Sequence, residues 1–278
     1  MNKIIAAFDG LRFSESTMKY AIYLAKQYNA HLTGVFLYES TSLGFAVYTM
    51  IEKQSVSGQN IFKEIAKSDK IAINNAINNF ETACRNAKLS YRVHRDTGNA
   101  ARELLHETAF ADLLIIDAQE TFSYLKEEMP GWFIKNILHE TRCAVLIVPK
   151  SFSPIKQSVL LYDGSPSSIF AIKMFNYILP EMGKLETKLL FAANKSSLPQ
   201  LPDDKLLKEW IERHYSKVTY KILNGEEKKL TATLAKEKKE AVLVAGSYQR
   251  SNLSMLFHKS LADLLLKETK TPVFIAHC

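Results

Sequence analysis

Residues 240–277 read EAVLVAGSYQRSNLSMLFHKSLADLLLKETKTPVFIAH. The stretch opens on five apolar residues, Ala241 to Ala245, a buried-strand signal that Gly246 ends. A polar loop follows, Ser247 to Ser254, and then helical spacing at Leu261, Leu264 and Leu265 with charges between. A second apolar run, Val273 to Ala276, closes the stretch, with Pro272 at its first position, where a missing N–H is tolerated. Strand, glycine-led loop, helix and strand make a βαβ unit, which favours parallel pairing and a right-handed crossover. In such a sheet small ligands lie beyond the carboxyl ends of the strands. A helix N-terminus facing that crevice suits an anion.

The same unit occurs earlier. Residues 111–149 read ADLLIIDAQETFSYLKEEMPGWFIKNILHETRCAVLIVP: strand Leu113–Ile116, loop, helix around Ile134–Leu138, strand Val145–Val148. An opening unit is also present twice, KIIAAFDGLRFSESTMKYAIYLAK from Lys3 and QSVLLYDGSPSSIFAIKMFNYILP from Gln157. Each gives an apolar strand, an aromatic residue, Asp-Gly, a Ser-containing polar loop and an amphipathic helix. Asp9-Gly10 matches Asp163-Gly164 at an offset of 154, and Val145 matches Val273 at an offset of 128. The chain is therefore a duplication whose first copy carries roughly 26 extra residues in its middle.

On these residues each half resembles a universal stress protein domain. The likeness rests on Phe8-Asp9-Gly10 and Tyr162-Asp163-Gly164, on ADLLIIDA and EAVLVAGS, and on the closing CAVLIVP and TPVFIAH strands. It covers nearly the whole chain, so the resemblance implies a tandem protein. The implied fold class is α/β: two adenine-nucleotide α-hydrolase-like, Rossmann-like domains, residues 1–150 and 151–278. Each is expected to be a five-stranded, mostly parallel sheet with helices on both faces.

Length and composition agree with two globular domains: 278 residues, 47% hydrophobic. Net charge is +7, which permits acidic partners without showing one. Lysines at 226–229 and 236–239 are interleaved with glutamate and read as solvated helix faces. No basic aromatic ribbon or helix-turn-helix pattern suggests nucleic acid. Cys84, Cys143 and Cys278 share no short spacing, so no metal or catalytic pairing is expected, and an odd count suits a reducing, cytoplasmic setting. The chain enters a strand at Ile4, so no leader is expected. No apolar run approaches the ~20 residues of a membrane span.

In chain order, a helix is expected over about 14–28, capped by Ser14 or Ser16, with a stripe of Met18, Ala21, Ile22, Leu24 and Ala25. Strand His31–Tyr38 follows. Glu39–Asn60 is either a lid over the sheet edge or a surface excursion. A long helix over about 61–88 carries Ile65, Ala72, Ala76, Phe80, Ala83 and Ala87. Strand Tyr91–Arg95 leads to a helix over 101–110, capped by Asn99 or Thr97. Lys150–Lys156, with Pro154, is the linker. The second half repeats the plan: strand 158–162, helix 167–179, strand Lys188–Ala193, helix about 203–217, strand 218–223 and helix about 228–238.

Nucleotide-binding members of the family carry G-x2-G-x9-G-[ST], which lets backbone N–H groups approach phosphates while a hydroxyl and a helix N-terminus add donors. By that resemblance, the second half keeps Asp163-Gly164, Gly246-Ser247 and Ser260, with Gln249 and Lys259 at the second and third glycines. Gln249 adds bulk. Lys259 either pairs with phosphate or blocks it, and Arg250 and His258 add to the cationic character of the loop. The alternative is a degenerate loop in which Lys259 and Ser260 start a helix. The expected cofactor is ATP or another adenine nucleotide, held by Asp163, Gly164, Gly246, Ser247, Gln249, Lys259 and Ser260.

The first half departs further. Asp117 and Glu120 stand at the first two glycines, and Gly131-Trp132 at the Gly-[ST] position. With Glu127 and Glu128, these carboxylates repel phosphate where water is excluded, so no nucleotide is expected there. Trp132 reads as a packing residue and Asp9 as a turn residue. No histidine or cysteine lies at ligand spacing from Asp117 and Glu120, so no metal is expected. GxSxG, HExxH, Walker A and SGGxDS are absent.

Three functions remain open: a stress-response ligand-binding module, a nucleotide-free scaffold acting through dimerisation, and a weak ATPase, for which no general base with a partner is visible. The closing strands, Val145–Val148 and Val273–Ala276, need cover if they lie at a sheet edge. The family resemblance implies pairing through them, here as an intramolecular pseudo-dimer, with further homodimerisation left open.

Overall fold

The structure, a computed structural model, describes residues 1–38, 58–120, 130–193, 200–224, 232–234, 236–237, 240–246, 265 and 270–276. The stretch 39–57 and the helix expected around Leu261–Leu265, apart from Leu265 itself, lie outside these residues. So does most of the helix expected over 228–238. The chain divides into two compact units, Asn2–Arg142 and Cys143–Cys278.

The first unit contains β1 (Lys3–Asp9), β2 (His31–Tyr38), β3 (Tyr91–Thr97) and β4 (Leu113–Asp117) in the order β3-β2-β1-β4. All three pairings are parallel. A parallel sheet is covered on both faces, which is why β1 and β4 are continuous apolar runs with almost every side chain buried.

Helix α1 (Glu15–Tyr28) starts at Ser14, whose Oγ accepts the Thr17 N–H. It ends at Asn29 in the left-handed region, φ 50°, where asparagine is tolerated. Its buried face is Thr17, Tyr20, Ala21, Leu24 and Ala25. Helix α2 (Gly58–Asn86) buries Asp69, Ile73, Ala76, Phe80 and Cys84. Ala76 and Phe80 belong to the expected face, whereas Ala72, Ala83 and Ala87 are only half-buried and Ile73 and Cys84 take their place. The spacing 69-73-76-80-84 is as helical as the alanine series, and it turns the larger side chains onto the sheet. Helix α3 (Ala100–Thr108) is capped by Asn99, which accepts the Arg102 N–H at 2.9 Å. Helix α4 spans Trp132–Glu140.

Phe80 shows how tightly α2 is seated. Its ring lies edge-on to Phe8 and Phe36, with centroids 5.6 and 5.8 Å away. It also lies directly on Gly34 of β2, where an added Cβ would meet the ring at 2.7 Å.

The second unit contains β5 (Ala144–Val148), β6 (Gln157–Tyr162), β7 (Glu186–Ala193), β8 (Lys217–Asn224), β9 (Ala241–Gly246) and β10 (Val273–Ala276). Their order is β5-β10-β9-β6-β7-β8. Four pairings are parallel. The fifth is antiparallel: β10 meets β5 with Val273 opposite Ile147 and Ile275 opposite Val145. The sequence places a boundary after β5, whereas the division by compactness falls before it. Helix α5 (Pro166–Ile178) is capped by Ser165, carries Pro166 at its first position, and seats Phe175 against Phe274, with centroids 5.1 Å apart. A 3-10 turn, Pro180–Lys184, was not expected. Helix α6 (Asp204–His214) buries Leu207 and Ile211.

Truncating Phe80 removes a buried ring from Phe8, Phe36 and Tyr91 and leaves a cavity over Gly34. Phe80→Ala is expected to destabilise the chain by about 3–5 kcal/mol, read as a lowered urea midpoint. A loss under about 1 kcal/mol would mean that α2 is not held on the sheet by this ring.

Candidate functional site

β1 and β4 are adjacent parallel strands, so Asp9 and Asp117, their last residues, end at the same sheet edge. Asp9 is buried, and its Oδ1 accepts the Leu11 N–H at 2.8 Å while its carbonyl accepts the Arg12 N–H at 3.2 Å. The next residue, Gly10, donates its N–H to the Leu37 carbonyl at 3.0 Å. A Cβ at Gly10 would meet Ile73 of α2 at 2.8 Å.

Asp117 is also buried. Its Oδ1 accepts the Gln119 N–H at 2.9 Å, and its Oδ2 accepts the Ser14 hydroxyl at 2.8 Å. Ser14 caps α1, so the Asp117 carboxylate sits at a helix N-terminus, where negative charge is stabilised. The Glu120 N–H returns to the Asp117 carbonyl at 3.2 Å. The Glu120 side chain is 5% exposed and receives the Asp9 backbone N–H.

Three carboxyl groups thus share one buried place. Burial pushes the Glu120 carboxyl well above the ordinary glutamate range, and the charges of Asp9 and Asp117 push it the same way; the Asp9 N–H and Arg12 oppose them. Burial also raises Asp9, against the Leu11 N–H and Arg12. At the end of β2, the Tyr38 hydroxyl donates to Asp69 Oδ2 at 3.1 Å, and burial together with the Asp69 charge pushes Tyr38 up to about 12.

The same frame recurs in the second unit with different contents. β6 and β9 are adjacent and parallel, which brings Asp163-Gly164 and Gly246 to one edge. Asp163 Oδ1 accepts the Ser165 N–H at 2.8 Å, and Ser165 Oγ accepts the Ser168 N–H at 3.1 Å. That turn followed by a cap repeats Asp9, Leu11, Ser14 and Thr17. Asp163, however, is exposed. Gly164 has φ 81°, and a Cβ there would meet Pro202 at 2.9 Å. Pro202 is itself held by the Tyr162 hydroxyl at 3.1 Å.

The sequence matches no family model, and no curated protein matches it. Solved structures do match, over the whole length. A universal stress protein from Archaeoglobus fulgidus superposes with a TM-score of 0.65 at 15% identity, covering 99% of this chain and 96% of its own. A provisional universal stress protein from Pseudomonas aeruginosa gives a TM-score of 0.61 at 12% identity, over 100% and 93%. This chain has the tandem universal stress protein fold. At these identities the likeness carries the fold alone.

Within the tandem universal stress protein fold, Asp163, Gly164 and Gly246 are brought together as the sequence suggests. Ser247, Gln249, Lys259 and Ser260, with Arg250 and His258, lie outside the described residues, as do Glu127 and Glu128. Gly246 has a reason to be glycine that the motif did not require: a Cβ there would lie 2.8 Å from the Ser167 backbone at the start of α5. Asp117 and Glu120 do not line an open loop; they are folded inward onto Ser14 and Asp9.

The reading of Trp132 as a packing residue is corrected, because its side chain is 66% exposed. Phe133, Ile134, Ile137 and Leu138 form the buried face of α4, and position 132 falls on the opposite stripe with Lys135 and His139. The spacing of Phe133, Ile134, Ile137 and Leu138 already defines an apolar stripe that leaves position 132 off it. Among the described residues no group of His, Cys, Asp or Glu is arranged to hold a metal ion, and no helix is long and apolar enough to cross a membrane. Burial pushes the Cys84 thiol up to about 12, which makes it a poor nucleophile.

Two tests follow from this geometry. Folded Glu120 keeps its proton to higher pH than an unfolded glutamate, whose value is 4.5. The folded chain therefore binds more protons between those two values, and stability falls as pH rises through that window. Glu120→Gln keeps an acceptor for the Asp9 N–H without the charge. It is expected to unfold at higher urea than the parent at neutral pH, with a flatter pH dependence. A parent that gains stability over the same interval would contradict the buried cluster. Separately, Gly246→Ala forces a methyl against the Ser167 backbone and is expected to cost about 1–3 kcal/mol. An unchanged urea midpoint would show that this contact is loose.

Proposed function

We propose that this protein is a stress-response regulatory module without a catalytic centre, and that its second half holds an adenine nucleotide or a similar anion. One observation carries the proposal. The two halves share a frame at the strand ends, but the first is filled by its own buried carboxyl groups, whereas the second presents an exposed Asp163 beside a residue with no side chain, Gly246.

In this reading Asp163 accepts hydrogen bonds from the sugar or base. The backbone around Gly164, Gly246 and Ser247 approaches the ligand closely. Gln249, Lys259 and Ser260 take the phosphates, with ATP as the ligand class. The first half binds no nucleotide, because phosphate there would meet Asp9, Asp117 and Glu120. No general base with a partner is visible in the sequence, so turnover is not part of the proposal.

A second reading, a nucleotide-free scaffold, is favoured by two observations. The close approach of Gly246 to Ser167 explains that glycine by packing alone. The antiparallel β5–β10 ladder joins the closing strands of the two repeats. We propose the same ladder as the seam of an intramolecular pseudo-dimer under either reading, since it pairs two apolar edges that would otherwise need cover.

The deciding experiment uses the purified full chain. It is denatured, released nucleotide is identified by mass spectrometry, and the emptied protein is titrated with Mg-ATP by calorimetry. The proposal expects one nucleotide per chain, and a loss of affinity of about tenfold or more in Lys259→Glu, equivalent to ~1.4 kcal/mol. No bound nucleotide and no heat up to millimolar ATP would leave the scaffold reading.

A further inference from the structure

The chain contains two Asp-Gly pairs at equivalent places, and their chemistry differs. We propose that Asp163-Gly164 is a site of spontaneous isoaspartate formation in the native protein and that Asp9-Gly10 is protected. The reaction needs only the chain and water. The backbone nitrogen of Gly164 attacks the side-chain carboxyl carbon of Asp163 in its neutral acid form. The N–C bond forms, and the hydroxyl leaves with the amide proton as water, giving a five-membered succinimide. Water then adds to either ring carbonyl. Opening at one restores aspartate, and opening at the other yields isoaspartate with one extra methylene in the main chain.

Three features separate the two pairs. Asp163 is exposed, whereas Asp9 is 5% exposed. The attacking nitrogen of Gly10 is engaged, donating to the Leu37 carbonyl at 3.0 Å; among the described residues the Gly164 N–H has no acceptor. Third, position 164 is restricted to glycine, by φ 81° and by Pro202 at 2.9 Å from any added Cβ. The side chain that would hinder ring closure is excluded there by the fold itself. Cyclisation at Asp9 must first open a buried strand end, and a local opening of even ~1.4 kcal/mol slows a reaction about tenfold.

The modification is independent of any ligand. If the reading of the preceding section holds, conversion also moves the Asp163 carboxylate away from the ligand, so aged protein loses nucleotide affinity; that clause alone depends on that reading.

The test is direct. Native protein is incubated at physiological temperature in mildly acidic to neutral buffer. Isoaspartate is tagged by an isoaspartyl methyltransferase and located by peptide mapping, with urea-unfolded protein in parallel. The expected result is accumulation at residue 163 exceeding that at residue 9 by about tenfold or more in the native chain. The two sites become comparable once unfolded, and Asp163→Glu abolishes the signal at 163. Equal rates at both sites in the native chain, or no product at 163 while the unfolded chain reacts, would overturn the proposal whether or not nucleotide binds.

Discussion

A buried carboxyl group must keep its proton or find donors, and around that requirement the first half is built. β1 and β4 run parallel as neighbours, so the last residues of two strands more than a hundred positions apart end side by side. Asp117 meets the requirement with the Ser14 hydroxyl and the Gln119 N–H, Asp9 with the Leu11 N–H. Glu120 has one backbone donor, and burial together with the charges of Asp9 and Asp117 raises its carboxyl well above the ordinary glutamate range, so it holds its proton to higher pH. The cap of α1, the turn after β1 and the end of β4 are one hydrogen-bonded assembly. Changing any of its acids alters the other two.

The second half keeps the turn and the cap while discarding the acids. Asp163, Ser165 and Ser168 reproduce the geometry of Asp9, Ser14 and Thr17. Where Asp117 reaches back to Ser14, Gly246 has no side chain, and the start of α5 closes up against it. The same edge is thus lined by buried carboxyl groups in one copy, and in the other presents the exposed Asp163 beside a glycine.

Much of the fold was legible in the sequence, because fully covered parallel strands leave continuous apolar runs that Asp-Gly and Gly punctuate. The duplication and the ten strands of the described residues follow from that pattern, and the structure selects Ser14 over Ser16 and Asn99 over Thr97 as caps. The antiparallel sense of β5 against β10 does not follow from it, since a five-residue apolar run carries no direction. On α2 the spacing picks out Ala76 and Phe80 correctly but passes over Ile73 and Cys84 for Ala72, Ala83 and Ala87, because alanines at helical spacing are as good a stripe until a sheet selects between them. The motif points to Asp163, Gly164 and Gly246, and the pairing of β6 with β9 brings them to one edge. The inward turn of Glu120 was not legible, because residue spacing alone does not show that β1 and β4 end side by side.

The buried acid is the point on which this account turns, and it can be observed atom by atom. With glutamate carboxyl carbons labelled with carbon-13, the Glu120 resonance can be assigned by comparison with Glu120→Gln and followed as pH rises. The account predicts that it keeps the shift of a neutral carboxylic acid after the exposed glutamates have ionised, and moves only at distinctly higher pH. A Glu120 signal that titrates with the exposed glutamates, or before them, would mean that the first half is not filled by a protonated acid. The contrast between the two halves would then have to be explained some other way.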